Sequence, residues 1–185
     1  MQEKRLKTGL RGDIELLFSD RGTLKGKPNL LQAIRILLVK PGVQAIAFYR
    51  FYRWLYLKKL KFIAEILCRI NFFLTGADID PGAEISGGCR IWHSSGVVIG
   101  RGVKIGENVS ILHNVTLGGI GHSIFHLGEP GYPEISDNVV LYTGVTILGP
   151  VKIGENSIIG AHSLVLDSIP PNCLATGTPA KIVKK

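Results

Sequence analysis

Residues 103–119 read VKIGENVSILHNVTLGG. Ile105, Ile111 and Leu117 recur there at every sixth position, each two residues after Val103, Val109 or Val115. A strand alternates every second residue and a helix about every 3.6. A period of six marks a parallel β-helix, a triangular coil of short strands that turns at each corner. Outward from this stretch the same phase runs through Ile79, Ile85 and Ile91, then from Ile99 to Leu117, and later through Ile135, Leu141, Ile147, Ile153, Ile159 and Val165. Residues four positions on are mostly small or β-branched and should also point inward: Ala83, Cys89, Ser95, Val139, Val145, Val151, Ser157 and Ser163. Corners carry Gly, Asn and Asp, which tolerate the backbone angles of a tight turn. So many matches leave no room for a β-sandwich with chance spacing.

Two interruptions point to function. The phase slips by two residues at Val97-Val98, just past His93. His93 lies two after the inward Ile91, which sets it on the outer surface at a corner; a packing histidine belongs on an inward position. Between Leu117 and Ile135 the in-phase residues are Ser123 and Glu129. A carboxylate inside a narrow apolar coil is prohibitive, so residues 118–134 are expected to leave the coil as an extruded loop, where binding and catalysis gather.

Residues 1–75 read as helical. Leu30, Leu31, Ile34 and Leu38 form one apolar face, stopped by Pro41-Gly42. Val43, Ile46, Ala47, Phe51, Trp54 and Leu55 form a second, and Ile63, Ile66, Leu67, Ile70 and Leu74 a third. The expected fold is mostly β: a left-handed parallel β-helix over 76–185 with a small N-terminal α-helical domain over 1–75 that covers its open end. The stretch FYRFYRWLYLKKLKF (48–62) has aromatic residues on all sides. That favours a helix packed on a neighbouring subunit over peripheral membrane contact.

Composition narrows the field. The net charge of +8 arises before residue 70 and at Lys181, Lys184 and Lys185. No RNP-like aromatic motif, zinc-finger spacing or phosphate loop accompanies it, which argues against nucleic acid. Three widely spaced cysteines suggest a reducing compartment. With no signal-peptide core in the first residues, a cytoplasmic location is expected.

The segments DIDPGAEISGGCRIWHSSGVVIG, ILHNVTLGG, ILGPVKIGENSIIGAHSLVLDSIPPN and GTPAKIV, with KPGVQAIAFYRFYRWL and RGDIELLF upstream, resemble the serine O-acetyltransferases among the hexapeptide acyltransferases. The resemblance implies transfer of acetyl from acetyl-CoA to a hydroxyl without a metal. It puts the catalytic base on His93 and the carboxylate that orients it on Asp78. The donor would run past Gly118, Gly119, Thr143, Ala161 and Lys181, in a homotrimer or a hexamer with sites between subunits. A neutral imidazole can accept a hydroxyl proton near working pH, and a carboxylate behind it fixes the tautomer.

The chain departs from that family where the family grips serine with charge. Trp92 stands where Asp is usual, Gly131-Tyr132 where Arg-His is usual, and Asp20-Arg21-Gly22 has an altered order. Trp92 and Tyr132 would stack on a sugar ring. A sugar or other non-serine alcohol is therefore the expected acceptor, with serine as the alternative and a non-catalytic scaffold as a further one. His113 shares the outward register of His93. His122 and His126 lie in the loop, and all three are candidates for the acceptor or the donor. His162 replaces a glycine usual at that turn. A zinc site would need three converging ligands, and no pair of histidines matches across coils.

Overall fold

The computed structural model describes residues 30–120 and 131–184. Three helices, α1 (Leu30–Val39), α2 (Pro41–Leu57) and α3 (Lys61–Thr75), lead into a succession of short strands. One face of the coil stacks β1 (Asp78–Ile79), β4 (Val98–Ile99), β7 (Thr116–Gly118), β10 (Thr146–Leu148) and β13 (Leu164–Val165). A second stacks β2 (Glu84–Ile85), β5 (Lys104–Ile105), β8 (Glu134–Ile135) and β11 (Lys152–Ile153). The third stacks β3 (Arg90–Ile91), β6 (Ser110–Ile111), β9 (Val140–Leu141), β12 (Ile158–Ile159) and β14 (Leu174–Gly177), closed by the antiparallel β15 (Ala180–Lys184). The molecule is a left-handed parallel β-helix with a helical N-terminal part.

The inward register holds in the strands of every coil. Ile79, Ile99, Leu117, Ile147 and Val165 pair in sequence across the first face and are buried. One inward assignment fails. Ser95 is exposed and Val97 takes its place, because the corner after β3 is two residues longer than the others. The slip in phase is thus absorbed outside the strands.

The helices pack only in part by the expected apolar faces: Ile46 and Leu55 of the α2 face are buried, and α3 packs by other residues. On α3 the inward stripe is Ala64, Cys68, Asn71 and Thr75, while Ile63, Ile66, Ile70 and Leu74 are exposed and only Leu67 is half-buried. Small residues let α3 approach α2 closely, where Asn71 donates to the Ala45 carbonyl at 3.2 Å. The aromatic-basic stretch is also sorted. Tyr49, Tyr52 and Arg53 face the coil, and Phe51 and Trp54 face away.

The inward polar heads have a definite task. The first coil has no coil before it, so its outward carbonyls would lack partners. The Tyr49 hydroxyl donates to Ala83 O at 2.7 Å, Tyr52 to Ile79 O at 2.7 Å and Arg53 to Pro81 O at 2.8 Å. Arg50 adds donations to Ile85 O and Ser86 O. The Ile85 N–H in turn donates to the Tyr49 oxygen at 3.2 Å. Burial pushes the Tyr49 phenol up to about 12, so it stays a neutral donor at ordinary pH. Tyr49→Phe would orphan two buried backbone groups and is expected to cost about 1–3 kcal/mol. For a chain of this size the melting temperature should fall by about 2–4 °C per kcal/mol. An unchanged thermal melt would mean that the helices do not cap the coil.

Candidate functional site

Parallel pairing builds the site as a column. Ile91 pairs with Ile111, Ile111 with Leu141 and Leu141 with Ile159. The residues two positions on, His113, Thr143 and Ala161, therefore stack at one corner of the coil, about 4.8 Å apart along its axis. The longer corner after β3 puts Ser95 in register with them, its carbonyl 3.0 Å from the Asn114 N–H, and brings His93 beside His113. Backbone hydrogen bonds hold the steps together: Gly144 N–H to His113 O at 3.1 Å and His162 N–H to Thr143 O at 2.8 Å. The residue that follows each of Ser95, His113, Thr143 and Ala161 along the chain is left-handed: Gly96, Asn114, Gly144 and His162, with φ between 56° and 69°. His162 adopts this conformation where the turn would favour glycine, and its ring lies against Gly144.

His93 is exposed, and its ring centroid lies 5.8 Å from that of His113 at an interplanar angle of 80°. His113 is held from the other side by the Thr143 hydroxyl, 3.0 Å from a ring nitrogen. The long corner that carries His93 is pinned beneath. Ser94 is only 4% exposed and donates to Thr75 O at 2.5 Å, while the Gly96 N–H donates to Gly76 O at 3.0 Å. His93 is thus lifted outward on a corner anchored to the end of α3. Ser94 and this anchor were not legible in the sequence beyond the two-residue slip.

No hydrogen bond or ion pair joins Asp78 to His93. Its carboxylate accepts from Arg69 on α3, with Nη2 2.9 Å from Oδ1 and Nη1 3.5 Å from Oδ2. That carboxylate pushes the Arg69 guanidinium up, and burial does the same to the neighbouring Cys68 thiol. Arg69 and Asp80 line a cavity of about 380 Å³ between α3 and the first coil, with Arg101 3.5 Å from Asp80. Sequence reading missed Arg69, which sits on a helix face with no motif to mark it.

The remaining expected residues fall elsewhere. Gly118 ends β7, and Ile120 pairs with Gly131 by an antiparallel bridge that forms a narrow neck between the described residues on either side of 121–130. The ring of Tyr132 lies over Gly100, Gly102 and Gly119, where a side chain at Gly102 would overlap it. Trp92 is on the histidine corner instead, with the Arg90 guanidinium 4.9 Å from its ring centroid. Within one chain these two aromatics stand at different corners, because glycines at the neck leave a space that the Tyr132 ring fills. They do not form a joint stacking surface. Lys181 lies on β15 and is exposed. Asp20, His122 and His126 lie outside the described residues.

Comparisons extend this geometry. The family "Bacterial transferase hexapeptide (six repeats)" matches residues 132–167. The serine acetyltransferase of Mycobacterium tuberculosis is 36% identical over 176 residues, covering 95% of this chain and 72% of that protein. That of Helicobacter pylori is 36% identical over 172 residues, covering 93% of this chain and 98% of its own length. The crystal structure of the Brucella abortus serine acetyltransferase in complex with coenzyme A superposes with a TM-score of 0.85 at 33% identity, covering 98% of this chain and 69% of that one. These relatives overturn the expectation of a sugar acceptor, which rested on the pairing of Trp92 with Tyr132. Identity of this extent spans the cap, the histidine corner and the last coils together, and the chain belongs to the serine acetyltransferase family of hexapeptide-repeat transferases.

Proposed function

We propose that this chain is a serine O-acetyltransferase that moves the acetyl group of acetyl-CoA to the hydroxyl of L-serine, with His93 as the general base. The observation that carries this reading is the outward His93, lifted on its long corner and faced by a His113 that Thr143 holds in place. His93 takes the hydroxyl proton as the serine oxygen bonds to the thioester carbon. It returns that proton to sulfur as the carbon–sulfur bond breaks. Asp78 is the carboxylate assigned to hold the imidazolium, and the exchange of Arg69 for His93 is the rearrangement this mechanism requires.

The donor fits the wall below His93. Thr143, Gly144 and Ala161 carry small side chains down that corner, so a narrow pantetheine arm can lie along the stack. Gly119 at the neck offers a backbone N–H for a developing oxyanion, an interaction worth several kcal/mol in a dry site. Exposed Val98, Tyr142, Ile158 and Leu166 on the coil support assembly of a homotrimer with its sites between subunits.

Mixing the chain with acetyl-CoA and L-serine should release free thiol and form O-acetyl-L-serine in equal amounts, read by thiol assay and mass spectrometry. Thiol release no faster than hydrolysis without serine would overturn the proposal.

A further inference from the structure

The turn between α2 and α3 concentrates apolar and basic residues on one exposed tip. Trp54 is 54% exposed, Leu57 52%, Leu60 46% and Phe62 75%. Lys58, Lys59 and Lys61 alternate with them and are exposed as well. The tip is rigidly built. The Leu60 N–H donates to Leu55 O at 3.1 Å and the Lys59 N–H to Tyr56 O at 3.0 Å, while Phe51 stacks on Trp54 at 6.3 Å. Lys59 sits at φ 67°, a left-handed position that glycine fills by default at a helix C-terminus.

Charge decides what such a surface can meet. Residues 30–75 hold eight Lys and Arg and a single acid, Glu65. Interfaces between proteins are depleted in lysine at their centres. A protein partner covering this tip would have to bury three ammonium groups interleaved with leucine and phenylalanine. A lipid boundary imposes no such cost, because lysines reach the headgroups while the apolar side chains enter the acyl region. The sequence pattern, with aromatics on every side, had favoured a subunit contact. In the structure Tyr49 and Tyr52 turn inward, and Trp54, Leu57, Leu60 and Phe62 remain exposed among the three lysines at the turn. We propose that this tip, residues 54–63, docks the protein on an anionic lipid surface, with Trp54, Leu57, Leu60 and Phe62 in the acyl boundary and the three lysines on headgroup phosphates. Among the described residues no helix is long and apolar enough to cross a membrane, so the contact is peripheral.

The test is co-sedimentation of the full chain with vesicles of phosphatidylcholine alone or mixed with phosphatidylglycerol. Binding should require the anionic lipid. It should weaken by about 100-fold or more in a Lys58→Glu, Lys59→Glu, Lys61→Glu variant, since each cation near such a surface contributes about fivefold. Phe62→Ser should weaken it by about tenfold, and both variants should melt as the unaltered chain does, because the changed side chains are exposed. Lys59→Gly, which suits the left-handed backbone, should fold at least as well and bind less. No sedimentation with either vesicle would overturn the proposal, as would binding that survives charge reversal. A fall in oligomer mass in Phe62→Ser, without vesicle binding by the unaltered chain, would instead assign the tip to a second copy. None of these readouts depends on acetyl transfer.

Discussion

Replacing His93 with alanine is expected to lower kcat for acetyl transfer to L-serine by about 10²–10⁴, with the thermal melt unchanged. Among the described residues the ring makes no hydrogen bond, and its nearest aromatic neighbour is His113 at 5.8 Å. The corner around it is held by Ser94 on Thr75 O and by Gly96 on Gly76 O, neither of which the substitution touches. The change therefore removes a proton acceptor and leaves the scaffold. Single-turnover thiol release with saturating donor separates the chemical step from binding. A kcat that survives would move the base to another group, His113 first.

Gly42→Ala should produce the opposite pattern, with damage to fold and site together. In a free helix the substitution favours the helix by about 1 kcal/mol. Here α2 crosses β3 so closely that a Cβ at Gly42 would fall inside the Ile91 carbonyl. The obstructing atom is backbone and cannot rotate away, so overpacking of about 1–3 kcal/mol or more outweighs the gain in propensity. The melting temperature should drop, and kcat with it, because Ile91 leads directly into Trp92 and His93. A variant that melts higher than the unaltered chain would show that helix propensity wins and that α2 is not seated on β3.

Most of the coil was legible because its physics is local and repeats. An inward position every sixth residue must be apolar at each step, and Ile79 to Val165 satisfy that without reference to distant contacts. The same register put His93 and His113 on the outer face, and parallel pairing turned that into a shared corner. Ser95 was misread because a fixed period cannot show where an insertion is absorbed; only the hydrogen bond from Ser94 to Thr75 O reveals it. The acceptor was misread for a related reason. Trp92 and Tyr132 look alike in sequence, yet one meets Arg90 and the other fills the space over Gly100, Gly102 and Gly119.

The sequence by itself determined the β-helix, the outward register of His93, the family and the start of helical structure before the coil. Each of these depends on spacing along the chain or on residue types kept in order. Tertiary structure alone decided which helix faces pack, what Asp78 touches and where the exposed apolar surface lies. Those follow from contacts between segments far apart in sequence. Tyr49 and Tyr52 turn inward because the first coil's carbonyls need donors, and Arg69 takes Asp78 because α3 ends beside β1.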